Sequence, residues 1–272
     1  MKLIFSILFV CLLQNTFSQN IFEADTLNPE IKKQIAFSHL SIENGLSQNS
    51  IISIAQDSIG YMWFATQDGL NKYNGRSFKI YNKQFEDITR PTFSRLGKIY
   101  IDKKNKLWII TNSGNLEFYE SKTDRFIAVK QFKGVSAIFQ DKKHNTYIGT
   151  YGKGLFKIDA TTKDTLQLFK TEDVDKTIYD FYQYNEDIIV ASSATVFLLN
   201  NNNNTYQNII KNDKTINYSS IAQSPNGTLW VGSYGKGLFY KEKEGAVLKP
   251  FKKIGFLNFP ENLNIEDLLI DN

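Results

Sequence analysis

The sequence predicts an all-β fold made of one four-stranded unit used repeatedly. Three observations support this. A pattern returns about every 42 residues, the apolar runs are four to seven residues long between Gly, Asn, Asp and Lys turns, and no stretch keeps helical periodicity. Aligned on Thr66, the equivalent positions are Thr111, Thr150, Ser192 and Ser233, at separations of 45, 39, 42 and 41 residues. Small antiparallel sheets recurring at that spacing are the signature of a β-propeller, in which each twisted sheet buries its faces against its neighbours.

The first eighteen residues have one Lys, an apolar run at 3–13 and then small and polar residues, in the pattern of an export signal. A run of that length is too short for a bilayer core of roughly 30 Å. The single cysteine, Cys11, lies within it, so cleavage near Ser18 leaves a chain with no disulfide and no thiol chemistry. Residues 19–36 read as a leader. Alternating apolar positions from Phe37 predict a short strand, and Asn44 and Gly45 a following turn.

The first full unit is clearest at residues 57–73, DSIGYMWFATQDGLNKY. Asp57 opens a turn closed by Gly60, 62–65 is a strand, Thr66 begins a second turn ending at Gly69, and 70–73 is the next strand. Three residues before each Thr66 equivalent stand Trp63, Trp108, Tyr147, Ile189 and Trp230; nine before stand Asp57, Asp102, Asp141 and Ser224, with the fourth unit one residue shorter. Two apolar rows precede that turn: Ile51, Leu96, Val135, Ile178, Tyr218 and Ile265, and Ile54, Ile99, Ile138, Phe181, Ile221 and Leu268. In the third unit the strands fall near 135–139, 146–150, 154–158 and 166–169. The fourth unit replaces the Gly turn with Ala194 and Thr195, and its asparagine run 200–204 reads as a solvent-exposed hairpin loop.

The predicted blades lie near 48–82, 93–131, 135–170, 177–211 and 218–253, with the first strand of a sixth at 262–272, where Asp271 aligns with Asp57. This reads as an incomplete seven-bladed propeller, since seven blades need about 290 residues at this period. A closed five-bladed ring over about 48–253 is the alternative; it leaves the apolar strand at 265–270 without a role.

Residues 40–81, LSIENGLSQNSIISIAQDSIGYMWFATQDGLNKYNGRSFKIY, resemble the two-component regulator propeller family, the periplasmic sensor region of hybrid sensor histidine kinases and related regulators. The resemblance extends over roughly 37–272 and is most specific at the Asp, Gly, Trp, Thr, Gly, Leu and Tyr of 57–73. It implies extracytoplasmic sensing, often of polysaccharide breakdown products. It also implies, further along such receptors, a second propeller, an immunoglobulin-like domain, a membrane helix and signalling domains; no kinase residue is carried over to this chain. The implied partners are an oligosaccharide or another extracytoplasmic ligand, the rest of a receptor ectodomain and, in that context, a second copy.

The residues themselves exclude several chemistries. The charge of +4 arises from 32 basic and 28 acidic residues scattered through turns, a solvated surface rather than a nucleic-acid footprint. An Asp at the start of each turn accepts backbone N–H bonds, reason enough for its place, and DSIG, DKKN and DKKH lack the oxygen ligands of a calcium loop. The tryptophans fit blade packing better than sugar stacking. Gly69, Gly114, Gly154 and Gly237 serve turns and lack phosphate-loop spacing. Two histidines, His39 and His144, make no metal site, no motif marks a catalytic triad, and no cofactor is expected.

In a meander, the second-to-third turns share one face with the connections between blades. Residues 66–69, 111–114, 150–154 and 233–237 therefore ring that face. Tyr151, Lys153, Tyr234 and Lys236, from the twice-used hexapeptide YGKGLF, with Gln67 and Asp68, are the candidate ligand-binding residues. Tyrosine faces and Lys donors suit hydroxylated or anionic ligands; the plainer reading is that these are good exposed turn residues. A non-enzymatic exported sensor is the leading expectation. A secreted carbohydrate-active lyase or hydrolase on the same fold, and a protein-docking module, are the alternatives.

Overall fold

The computed structural model describes residues 38–84, 97–169, 177–210, 213–243, 245, 248–251, 253–254, 257–258 and 262–270. The expected export signal, the leader and Asp271 lie outside these residues. The chain divides into a unit of residues 1–40 and one of 41–272, and the architecture below is that of the second.

Five four-stranded antiparallel sheets follow in chain order, each a simple meander. Blade 1 contains β1 (Ile51–Gln56), β2 (Met62–Thr66), β3 (Gly69–Tyr73) and β4 (Phe78–Tyr81). Blade 2 contains β5 (Lys98–Ile101), β6 (Leu107–Ile110), β7 (Leu116–Glu120) and β8 (Arg125–Ala128). Blade 3 contains β9 (Val135–Gln140), β10 (Thr146–Thr150), β11 (Leu155–Ile158) and β12 (Thr165–Phe169). Blade 4 contains β13 (Ile178–Tyr184), β14 (Asp187–Ser192), β15 (Val196–Leu199) and β16 (Tyr206–Asn208). Blade 5 contains β17 (Asn217–Gln223), β18 (Leu229–Tyr234), β19 (Leu238–Lys241) and the short β20 (Lys249–Pro250), and a hairpin of β21 (Lys253–Ile254) and β22 (Leu257–Asn258) follows. There is no α-helix among the described residues. The strands expected in the third unit match those observed to within a residue at each end.

Four apolar clusters fill the four joints between consecutive blades. Trp63, Leu70, Ile99 and Ile109 lie between blades 1 and 2, and Ile110, Leu116, Val135 and Ile148 between 2 and 3. Tyr147, Leu155, Phe181 and Phe197 lie between 3 and 4, and Ile189, Val196, Tyr218 and Val231 between 4 and 5. Each fully buried side chain of this size contributes about 1.5–3 kcal/mol, so the joints carry most of the stabilisation.

The repeated polar residues close the turns. Asp57 Oδ1 accepts from the N–H groups of Ile59 and Tyr61, and Asp102 Oδ1 from those of Lys104 and Lys106. Their second oxygens accept from the indoles of Trp63 and Trp108 at 3.0 and 2.9 Å. In blade 5 the hydroxyl of Ser224 takes the Trp230 indole at 2.6 Å. The Thr66 row closes the second turn: Thr66, Thr150 and Ser233 donate to the carbonyls of Gly69, Gly154 and Gly237.

Three sequence expectations require correction. Residues 38–40 carry no strand; Ser41 instead caps a 3-10 turn, Ile42–Asn44, receiving the Glu43 N–H on its hydroxyl while Asn44 Oδ1 takes the Ser41 N–H. The asparagine run is not simply solvated. Asn201 is buried, donating to Asp141 Oδ2 at 2.8 Å and accepting from Tyr147 Oη at 2.5 Å, because blade 3 has Tyr where blades 1, 2 and 5 have Trp and a phenol reaches past its own turn. Residues 263–270 join no ladder, yet Ile265 takes the place of a first strand beside blade 5. Ser219 Oγ donates to the Ile265 carbonyl as Ser136 Oγ does to that of Ile178.

Candidate functional site

The first strand of each blade lies innermost, because the apolar rows flanking it are needed on both sides by neighbouring blades. Adjacent first strands touch through hydrogen bonds: the Ile99 N–H donates to Ser53 Oγ at 3.3 Å and the Ile221 N–H to Asp180 Oδ2 at 2.8 Å. Between these strands lies a cavity of about 610 Å³, lined by residues 51–54, 97–100, 137–138, 179–180 and 219–220 with Ile110, Tyr234, Glu266 and Asp267. That volume lies within the usual 300–1,000 Å³ of small-molecule sites.

One position per repeat forms its wall. Two residues after the first apolar row stand Ser53, Lys98, Ala137, Asp180, Ser220 and Asp267, and all six line the cavity. Lys98 reaches from blade 2 to blade 4, its Nζ donating to the Tyr179 carbonyl at 2.9 Å. Asp180 holds two N–H groups, its own neighbour Phe181 on Oδ1 and Ile221 of blade 5 on Oδ2, both at 2.8 Å. Burial pushes the Asp180 carboxyl up to about 6; Lys98 and the two N–H donors oppose that rise, and the charge of Asp267 adds to it. Asp267 in turn accepts the Leu268 N–H at 2.8 Å. Ser220 is 1% exposed and its hydroxyl has no hydrogen-bond partner among the described residues.

The cavity lies at the end of the axis where the second-to-third turns stand, since the beginnings of the first strands pair with the ends of the second: Ile51 with Thr66, Ile178 with Ser192 and Tyr218 with Ser233. Of the candidates at that face, Tyr234 lines the cavity and its ring meets Tyr179 at 5.4 Å, edge to face. Tyr151 is 58% exposed. Lys153 lines a separate small pocket of about 140 Å³ with Lys130, Lys133 and Phe132. Lys236 and Asp68 are exposed, and Gln67 is half-buried, accepting from Gln48 at 3.0 Å. The six residues share one face but not one cavity.

Sequence reasoning did not single out Lys98, Asp180 or Asp267. The signal was present: where the repeat offers Ser or Ala at one inward position, it also places a Lys and two Asp there. The Asp–Trp bond was likewise encoded as a constant spacing of six residues.

The fold is that of a β-propeller. Within that class, residues 45–68 and 211–235 match the two component regulator propeller family, so the chain carries repeats of that family. A 46-residue stretch is 56% identical to "Histidine kinase P4" of Formosa agariphila, covering 17% of this chain and 3% of that protein. Among solved structures, the extracellular domain assigned to the hybrid two component system BT3049 of B. thetaiotaomicron aligns over 76% of this chain and 30% of its own, with a TM-score of 0.59 and 22% identity. The extracellular domain assigned to the one component system BT4673 aligns over 83% and 32%, with a TM-score of 0.61 and 22% identity. Virginiamycin B lyase from Staphylococcus aureus aligns over 75% and 70%, with a TM-score of 0.56 at 9% identity. At these identities the structural likeness is one of fold. The chain spans 30% and 32% of the lengths of the two Bacteroides chains it resembles. No helix among the described residues is long and apolar enough to cross a membrane.

Proposed function

We propose that this chain is an exported, non-catalytic sensing propeller of a two-component signalling receptor, binding a small extracytoplasmic ligand at the face of its second-to-third turns. The observation that carries this reading is the regulator-propeller repeat at both 45–68 and 211–235, in a domain whose first strands line an open cavity of about 610 Å³ with both apolar and charged side chains. The first eighteen residues act as the export signal, and the blades are those given by the repeat, 48–82 to 218–253, with 262–272 beginning another. Tyr234 contacts the ligand in the cavity, and Tyr151, Lys153, Lys236, Gln67 and Asp68 on the same face meet the parts of a longer hydroxylated compound, such as an oligosaccharide, that extend beyond it. The rest of a receptor ectodomain, in a dimer, carries the signal onward.

Titration of the full chain with a panel of oligosaccharides, followed calorimetrically and by mass spectrometry of the sugars, tests this. Saturable binding with the sugars recovered unchanged is expected. Conversion of any bound sugar would replace the sensor with the carbohydrate-active enzyme, and no binding across the panel would overturn the glycan assignment.

A further inference from the structure

The inward position of the repeat is where charge is least expected. Ser53, Ala137 and Ser220 show that small residues satisfy the packing there, whereas a partly buried carboxylate or ammonium adds a desolvation cost. Lys98 and Asp180, both half-buried, thus stand on a wall that the fold builds without them, and the exposed Asp267 faces the same cavity. Glu266 adds a third carboxylate, so negative groups exceed positive ones around the cavity. Lys98 already donates to the Tyr179 carbonyl, while Tyr179 and Tyr234 add aromatic rings to the same wall. Carboxylates and tyrosine rings together attract an organic cation.

We propose, resting on the sensing reading, that the axial cavity takes a small hydroxylated compound bearing an ammonium group, such as an amino sugar, with the ammonium between Asp180 and Asp267. Binding is linked to the docking of residues 263–270. At two other joints the oxygen at the inward position accepts an N–H from the next first strand: Ser53 from Ile99 and Asp180 from Ile221. The equivalent donor for Ser220 is the N–H of Leu268, which Asp267 holds instead, leaving the Ser220 hydroxyl without a partner among the described residues. An ammonium drawing the Asp267 carboxylate toward the cavity releases that N–H to Ser220. The orphaned hydroxyl is then satisfied, and the segment is fixed against blade 5. A ligand charge is thereby converted into the position of a strand.

The test is titration of the full chain at pH 7, where the glucosamine amine is largely protonated, with glucosamine, N-acetylglucosamine and glucose, with hydrogen exchange at residues 263–270 as a second readout. Glucosamine is expected to bind and to slow exchange in that segment. Its N-acetyl form, which lacks the charge, should bind at least about tenfold more weakly, and Asp267→Asn and Asp180→Asn should each weaken glucosamine binding by about tenfold or more, as befits loss of a charge-assisted hydrogen bond. Asp267 stands outside any ladder, so its variant tests the site without disturbing a blade. Equal binding of the three sugars, or glucosamine binding unchanged in both variants, would overturn the ammonium site while leaving the sensing reading intact. Failure of glucosamine to bind would overturn it as well. Unchanged exchange in 263–270 on saturation would remove the link to docking.

Discussion

Blades 3 and 5 contain the same hexapeptide, YGKGLF, at residues 151–156 and 234–239, and the structure folds both copies into the same turn. Gly152 and Gly235 have φ of 78° and 76°, and Gly154 and Gly237 of 81° and 72°. Thr150 and Ser233 close the turns on the Gly154 and Gly237 carbonyls, each at 2.7 Å. The two tyrosines nevertheless differ in their surroundings. Tyr151 is 58% exposed, with its N–H on the Gly134 carbonyl, whereas Tyr234 pairs with Asn217, packs on Tyr179 and lines the axial cavity. Identical local sequence sets the turn; the adjoining blade decides whether the side chain becomes part of a site.

The largest expected departure between the two blades lies at their first turns. Asp141 of blade 3 is fully buried and accepts from Asn145, Tyr147 and Asn201, while Ser224 of blade 5 holds only its own turn and Trp230. Asp141→Ala strands several buried donors and should cost about 3 kcal/mol or more in chemical denaturation, against about 1 kcal/mol for Ser224→Ala. Equal losses would show that Asn201 does not tie blade 4 to blade 3.

Blade 4 stands between the two and meets them differently. Ala137 of blade 3 offers it no acceptor, but Asp180 reaches Ile221 of blade 5. The folded Asp180 carboxyl is raised to about 6 from the ordinary 3.8, so the folded chain holds this proton more tightly than the unfolded chain. Its contribution is therefore fully favourable below about pH 4 and is lost as the pH rises toward 6, by on the order of 3 kcal/mol. Lys98, Asp267 and Glu266 face the same cavity, so the quantity to measure is the difference between the stability profiles of the native chain and Asp180→Asn. A difference that does not change between pH 4 and 6 would remove Asp180 as its source.

A smaller contrast concerns two glycines at matching positions of the second strands. A Cβ on Gly149 would meet Ile178, and one on Gly232 would meet Ile265 and Ser220. Ile178 is held in the ladder of blade 4, whereas Ile265 belongs to none. Gly149→Ala should thus cost about 1–3 kcal/mol and Gly232→Ala less, because the unladdered segment can yield. The order of the two melting temperatures checks this. Least separated should be Gly152→Ala and Gly235→Ala. Both glycines have open space around Cβ and left-handed backbone, so each should lose about 1 kcal/mol, alike within error.

Much of the fold was legible because each repeat states its own local rules. Asp57, Trp63, Thr66 and Gly69 mark two turns and a strand through contacts within about a dozen residues, and the same rules located the strands of blade 3. Ser41 was misread because alternation in FSHLSI outweighed a capping hydroxyl. Asn201 was misread because a polar run looks solvated until the partner that buries it, 60 residues away, is known. For the candidate site, the face and Tyr234 followed from topology, but Lys98, Asp180 and Asp267 did not stand out among scattered charges.

The sequence by itself determined the repeated blade, its turns and the apolar rows, since those depend on hydrogen bonds and alternation that a short stretch contains. Only the tertiary structure decided which inward residues share a cavity. Lys98, Asp180 and Asp267 are far apart in the chain and ordinary in their local sequence; it is the arrangement of first strands around one axis, with residues 263–270 beside blade 5, that brings their charges to one cavity.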